Sequence, residues 1–519
     1  MSGGSPGSGY DCVVIGAGHN GLSCAAYLAR AGRSVLVVEA GEGIGGAAGT
    51  REFAPGFRVS GCAHLLHSMP EELRRDLALE AHGLSAAAVS MPTTALLDDA
   101  APLAIDPAGG GIEASAHAAY DASMRRLAAA LVPALLRTPP RLGTANWSDR
   151  MELLRFALRL RRLGRRDMRE LLRIGAMNVF DLLHEHFESQ ALRGALAFDA
   201  VLGSNLGPRS PGTVFTLLYR LAGQIAAGGS GLTQPRGGMG AVCDALAAAA
   251  KAAGAVVRTS APVVRITVDG DRATGVELEG GERIGARAVV SSADPQTTLL
   301  RLLGAGHLDA GFVRRVVRLR TRGLAAKLHL ALDRLPDFSG LDPQRLKGRL
   351  LIAPSLRYVE HAYDHAKYGE CSAAPIMEIT VPTVNDSTLA PPGRHVLSAI
   401  VQYAPYALNG GWDAGRTGFT ELTIDTLVRH APQLRRAIVA AELLAPPDIE
   451  REFRITGGHW HHADLALDQF YFTRPVPGAS QYRAPLPGLF LCGAGCPPGG
   501  GVIGAAGRNA ARQITRGGH

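Results

Sequence analysis

The chain has seven cysteines, and none of them forms a C-x-x-C pair. Neither a zinc ribbon nor a thioredoxin-type dithiol is therefore indicated. Cys492 and Cys496, the closest pair of interest, read as buried packing residues. No uncharged, proline-free run reaches the ~18–20 apolar residues that a membrane-spanning helix needs. The opening stretch "MSGGSPGSG" lacks the cationic and apolar regions of a signal peptide. Residues 1–9 read instead as a disordered Gly/Ser tail, which makes a cytoplasmic location the default expectation. Aromatic residues make up only 5% of the chain, and lysine is scarce beside arginine.

The positive charge is unevenly spread. The formal net charge is +8, and eight arginines stand against three acidic residues between Met151 and Arg173. Arg155, Arg159, Arg162, Arg166, Arg169 and Arg173 follow steps of four and three, which places them on one face of a helix over 151–173. Leu153, Phe156, Leu160 and Leu163 repeat on another face. Such a helix fits either a solvated arginine face or contact with an anionic membrane surface. Nucleic acid is not an expected partner, because no series of aromatic residues interleaves with the arginines.

Residues 10–40 read "YDCVVIGAGHNGLSCAAYLARAGRSVLVVEA". A short apolar strand enters Gly16, Ala17, Gly18, His19, Asn20 and Gly21 in the spacing G-x-G-x-x-G, a small-residue helix follows, and a second strand ends at Glu39 and Ala40. Each part has a task in a Rossmann-like dinucleotide fold. Gly16 makes the tight turn, Gly18 lets backbone approach a pyrophosphate, and Gly21 lets helix and strand pack closely. The helix start turns its positive dipole end to the phosphates. Glu39 is placed to accept hydrogen bonds from the adenosine ribose, which disfavours a 2′-phosphate.

A second glycine group, "GEGIGGAAGTREF", follows directly, with Gly45, Gly46 and Ala47 at its centre. It resembles the GG motif of the FAD-dependent amine oxidase and phytoene desaturase superfamily, although Gly43 and Ala47 stand where that motif carries arginines. The form "IGGAA" is similar to the phytoene desaturase and carotenoid isomerase side. Gln234–Leu278, "ARAVVSSADP" and the C-terminal block "LPGLFLCGAGCPPGGGVIGAAGRNAA" carry the same resemblance. The likeness extends to the branch known as pyridine nucleotide-disulphide oxidoreductase domain-containing proteins, although no C-x4-C disulphide motif exists here.

The resemblance implies FAD as cofactor, with Val263 holding the adenine by its backbone. It implies an α/β fold of the GR2 flavoprotein type: a Rossmann-like FAD-binding domain from 10–69, 234–305 and 475–519. An α+β substrate domain with a mixed or antiparallel sheet and helical cap would come from 70–233 and 306–474. "LAAKLHLAL", "APIMEITVPT" and "HVLSAIVQYAP" read as strands of that sheet.

The C-terminal block is dense in glycine. Gly493-x-Gly495 opens a dinucleotide pattern, but Pro498 stands at its third glycine position, so this is not a second nucleotide site. It reads as the far wall of the first: a strand, a turn through Pro497 and Pro498, and a last helix starting at Gly501. Backbone N–H groups of Val502 and Ile503 would then face the flavin, with Gly493 close by. The family usually has histidine where Pro497 stands.

In "GGHWHHADLALDQFYFTRP", His461 and His462 are adjacent and would face apart on a strand, so no metal is expected. His462 is the stronger active-site candidate, followed by His64 (with His67 nearby) and Tyr403 (with Tyr406) as wall residues. The expected function is oxidation of C–C bonds, by desaturation, saturation or isomerisation, of an apolar isoprenoid- or polyene-like substrate, with hydride transfer to flavin N5. Oxygen or a quinone would accept the electrons, since no second dinucleotide domain is present. Oxidation of a C–N bond, and a flavin-binding interaction protein of low turnover, are the alternatives. Few aromatics for a substrate cage weigh against the former.

Overall fold

A computed structural model describes residues 9–516, except 99, 110, 112, 144, 145 and 230. The expected tail, apart from Gly9, lies outside the described residues. The strand Tyr10–Ile15 lies between two parallel neighbours, Val35–Val38 and Arg283–Ser291. Its Val13 and Val14 are fully buried, as expected of a strand covered on both faces. Val256–Arg258 extends the sheet beyond Val35–Val38, and Leu489–Leu491 pairs in parallel with Val289–Ser291. The C-terminal strand thus joins the dinucleotide sheet, as the "GLFLCG" run implied. The hairpin Val263–Asp269 and Arg272–Leu278 adds antiparallel to the first half of Arg283–Ser291.

Small residues set how closely the helices approach this sheet. Helix His19–Arg30 buries Gly21, Ser23, Cys24, Ala25 and Ala26, and the C-terminal helix Ala505–Arg516 packs against it. A Cβ on Gly507 would stand 2.0 Å from the Asn20 carbonyl oxygen, so only glycine permits that crossing. Leu73, Leu77, Leu79 and Leu84 share this core, as do Phe312 and Val316.

The second sheet has seven strands in the order Ile438–Leu444, Ala325–Leu332, His395–Gln402, Ile376–Thr380, Arg349–Ile352, Thr93–Leu96 and Leu103–Ile105. Its pairings are antiparallel except for Arg349–Ile352 with Thr93–Leu96. All three runs expected as strands are adjacent members. Six helices from Ala114–Leu136 to Thr213–Ala226 form a cap around their own apolar cluster. The architecture is a Rossmann-like domain with an α/β substrate domain of mixed sheet and helices.

Three local expectations are corrected. The arginine-rich stretch is two helices, Trp147–Arg162 and Gly164–Ile174, because Gly164 takes φ +83° and breaks the repeat. The arginines of 151–173 therefore do not share one continuous face. The last helix begins at Ala505, not Gly501, since Gly501 and Gly504 both have positive φ. The segment 457–463 forms turns in place of a strand, and His462 itself has φ +60°.

Candidate active site

One cavity, with about 2080 Å³ of atom-free space partly open to solvent, runs from the dinucleotide loop to the second sheet. Its lining passes from the dinucleotide loop at Gly16 to Glu378 and Ile400 of the second sheet, so one space joins the two domains. Gly16, Gly18, His19, Asn20, Glu39, Ala40, Gly45, Gly46, Ala47 and Val263 line one part of it, and Gly501, Val502 and Ile503 another.

The three glycines of the first motif do different work. Gly16 has φ +91°, and a Cβ there would lie 2.5 Å from the Ser292 hydroxyl oxygen. A Cβ at Gly21 would lie 2.1 Å from the Gly16 carbonyl oxygen, so Gly21 serves the crossing of helix and strand and does not line the cavity. Gly18 has ordinary φ of −72°, and a Cβ there would meet no atom within 4 Å. The backbone at Gly18 is thus left open to an occupant of the cavity. Helix His19–Arg30 has no side-chain cap and no acid in its first turn, which leaves its N–H groups available to phosphate oxygens.

Ala17 also stays off the cavity wall. Its N–H donates to Glu39 Oε2 at 2.7 Å, while the Gly41 N–H donates to Oε1 at 2.8 Å. These bonds fix the carboxylate, which keeps lone pairs for ribose hydroxyls. The Gly45 N–H donates to the Ala17 carbonyl at 2.9 Å, tying the second glycine group to the first. His19 is half-buried, and its ring Nε2, shielded from solvent, has no hydrogen-bond partner. Burial, with His462 adding to it, lowers its pKa to about 4. The residues present fit FAD: an extended cradle of backbone donors, an acid at the ribose end, and unfilled polar atoms along the path.

The C-terminal wall differs in detail from the expectation. Gly493 does not line the cavity; a Cβ there would be 2.3 Å from the Ser292 carbonyl oxygen, so its role is strand packing. The Ile503 N–H donates to the Gly501 carbonyl at 3.0 Å and is not an open donor. Pro497 is buried away from the lining, and its carbonyl accepts from the Tyr482 hydroxyl at 3.0 Å. The Gly500 carbonyl accepts from the Tyr219 hydroxyl at 2.8 Å.

His461 and His462 both line the cavity, held by Arg474. This fully buried guanidinium donates to the carbonyls of His461, Ala463, Asp464, Gln469 and Ala494, joining the histidine loop to the C-terminal loop. His462 Nδ1 has no partner, and burial brings its pKa to about 4 despite Asp294 nearby. Tyr403 is placed elsewhere. Its hydroxyl donates to the Leu206 carbonyl at 2.9 Å and its ring packs on Tyr363, so it is not part of the cavity wall.

The opposite wall carries a buried charged network that sequence spacing did not reveal. His64 Nε2 lies 2.9 Å from Glu378 Oε1, and Lys327 Nζ lies 2.7 Å from His64 Nδ1. Burial, then Lys327, brings His64 to about 4, so its neutral ring donates from Nε2 to Glu378 and accepts at Nδ1. Burial pushes Lys327 down to about 7. Burial alone would raise Glu378, but Arg349, His64 and Arg220 hold it well below the carboxylate range. Arg349 Nε contacts Glu378 at 2.5 Å and its other end pairs with Asp199; Arg220 spans the same two acids at 3.2 and 3.7 Å. His64, His67, Asp199, Arg220 and Glu378 line the cavity. His67 Nδ1 is unpartnered, and burial, then Arg220, lowers its pKa to about 3. A lysine and a histidine inside the otherwise apolar run "LAAKLHLAL" were the signal available in the sequence.

No group of three or more His, Cys, Asp or Glu is arranged to hold a metal among the described residues. Among them, too, no helix is long and apolar enough to cross a membrane.

Comparison with known proteins matches residues 21–515 to the family of flavin-containing amine oxidoreductases. The pyridine nucleotide-disulfide oxidoreductase domain-containing protein 2 of Mus musculus is 37% identical over 98% of this chain and 93% of its own. A limonene dehydrogenase polypeptide of Castellaniella defragrans is 27% identical over 98% and 94%, and phytoene dehydrogenase of Streptomyces griseus 28% over 97% and 94%. Among solved structures, an oxidoreductase from Methanosarcina mazei has a TM-score of 0.62 at 18% identity, covering 97% of this chain and 99% of that one. A putrescine oxidase variant has 0.62 at 15%, covering 98% of each chain. At such identities the structural likeness concerns the fold. The chain belongs to the flavin-containing amine oxidoreductase family and is an FAD-dependent oxidoreductase.

Proposed function

We propose that the enzyme desaturates a C–C bond of an apolar, isoprenoid- or polyene-like substrate. The observation that carries this reading is the aliphatic wall of the cavity: Leu135, Leu202, Leu302, Ile400, Leu465 and Ile503 line it, against only three aromatic rings of tyrosine, phenylalanine or tryptophan. Limonene and phytoene, named in two relatives, are hydrocarbons of this class.

Bound FAD supplies the hydride acceptor at its N5, and oxygen or a quinone takes the two electrons onward. The chain's own residues do the rest. The loops around residues 16–20, Glu39, residues 45–47 and residues 501–503 would hold the cofactor, while the second sheet and the helical cap enclose the substrate. The aliphatic wall orients the substrate and excludes water. The proton leaving the neighbouring carbon passes to the cavity-lining carboxylate of Glu378, which His64 links by hydrogen bonds to Lys327 Nζ. With a pKa of about 7, Lys327 can take up and release a proton near neutrality. His462, with its free Nδ1, is the second imidazole of the site.

Adding a polyene or terpenoid substrate without oxygen should bleach the flavin band and yield a product lighter by two hydrogens. A product of unchanged mass and altered double-bond geometry would overturn desaturation in favour of isomerisation.

Amine oxidation is the second reading, favoured by the cavity-facing carboxylates Asp199 and Glu378. Both are already paired with Arg220 and Arg349, which leaves no net negative charge to attract an ammonium group. Amine-dependent release of peroxide would revive it.

A further inference from the structure

Helix Trp147–Arg162 has two apolar faces, and only one is covered. On the inner side Leu160, with Leu163 just beyond the helix, packs against the cap cluster, and Phe156 meets Tyr471. On the outer side Trp147 is 73% exposed, Leu154 49% and Leu158 43%. At 3.6 residues per turn these three fall within about 40° of one another. Single exposed leucines are ordinary, but an aligned stripe headed by an exposed tryptophan is not scatter.

Arginines border the stripe on both sides. By the same geometry Arg150 and Arg161 stand on one margin and Arg155 and Arg162 on the other, and all four are exposed. Arg155 pairs with Glu152 at 3.2 Å. Arg161 and Arg162 have no carboxylate partner among the described residues. The next helix, Gly164–Ile174, repeats the pattern: Leu172, 71% exposed, follows Arg165 and Arg169 on one face.

We propose that this bordered stripe docks the protein on the surface of an anionic lipid bilayer. Trp147, Leu154 and Leu158 enter the boundary between headgroups and acyl chains, while the arginines extend sideways to lipid phosphates. Guanidinium groups bind phosphate oxygens in pairs, and tryptophan favours a site with one apolar side and one wet side. Charge complementarity selects this occupant. A second copy of the chain would set the same arginine rows against each other, and a nucleic acid would leave the apolar stripe in water. Leu160 and Leu163 belong to the same apolar cluster as Leu135, Tyr219, Leu465 and Ile503, which line the cavity. The docked helix is thus continuous, through packed side chains, with the cavity wall. The docking itself does not depend on the substrate reading.

The test is co-sedimentation of the purified holoprotein with vesicles of phosphatidylcholine alone or mixed with phosphatidylglycerol. Binding to the mixed vesicles is expected, weakening as salt rises, with a blue shift in tryptophan emission that Trp147→Phe abolishes. Leu154→Ser with Leu158→Ser should weaken binding about tenfold or more, and Arg161→Gln with Arg162→Gln by a similar factor at low salt. All these side chains are exposed, so flavin content and melting temperature should not change. Should the leucine variant lose flavin, Trp147→Phe and the arginine variant still decide the matter. The proposal is overturned if the wild-type protein stays in the supernatant, or if the variants bind as it does. It is equally overturned if the wild-type is a dimer that the leucine variant converts to monomer.

Discussion

The two ends of the cavity are built from opposite materials. The cofactor end is backbone: glycines 16, 18, 45 and 46, a helix start, and one acid fixed by two N–H groups. The opposite end is side chain: two acids, two arginines, a lysine and two histidines drawn from separate strands, helices and loops. Backbone sites depend on local conformation, so their requirements are written in consecutive residues. Side-chain networks depend on tertiary contacts, and each member alone looks like an anomaly in an apolar stretch. The cofactor cradle is therefore tolerant in its chemistry and strict in its shape. The charged wall is the reverse.

The sharpest way to break this contrast is Gly18→Val. Its Cβ meets nothing in the protein, so the fold should stand while bound FAD falls about a hundredfold or more, read by the flavin-to-protein absorbance ratio. Gly21→Ala, in the same motif, should instead destabilise the fold itself by about 1–3 kcal/mol, because its Cβ collides with the Gly16 carbonyl. Denaturant titration separates the two outcomes.

At the other end, Arg349→Met leaves Asp199 and Glu378 short of a buried partner. Breaking such a pair costs about 3–5 kcal/mol, so the melting temperature should drop markedly while the glycine cradle is untouched.

Lys327→Met tests the proton-handling role of that wall. Activity should rise with pH through about 7 in the wild type, as Lys327 loses its proton, and that inflection should vanish in the variant along with about tenfold in rate. Stability gives an independent reading. Between pH 7 and 10.5 the unfolded chain keeps a lysine proton that the folded chain has released. Native stability therefore rises with pH across that window and is level below it, and the methionine variant should lack this slope.

The smallest effect is expected at Tyr403→Phe. The change removes one buried hydrogen bond, to the Leu206 carbonyl, and should cost about 0.5–1.5 kcal/mol with no change in turnover.

Much of the fold was legible in the sequence for the reason that separates the two ends. The G-x-G-x-x-G turn, Glu39, the parallel strand at Leu489–Leu491 and the three strand runs of the second sheet each follow from local pattern. What misled was glycine read by composition alone. Gly501 and Gly504 postpone the last helix to Ala505, Gly164 splits the arginine helix, and Gly493 serves a backbone crossing. Positive φ is invisible until the chain's path is known. The network around Lys327 was hidden for a different reason: Arg349, Glu378 and Lys327 lie on three strands of one sheet, and only its order brings them to His64.

If one cavity holds FAD at its backbone end and an apolar substrate beside the charged wall, the two must meet in a single redox event. Oxygen-free mixing of the purified flavoprotein with a terpenoid or polyene hydrocarbon, followed at the flavin absorbance band, decides this. The bound flavin should bleach, more slowly in Lys327→Met, with two hydrogens lost from the hydrocarbon. Bleaching by amines alone, or unchanged flavin with every hydrocarbon offered, would contradict the shared cavity.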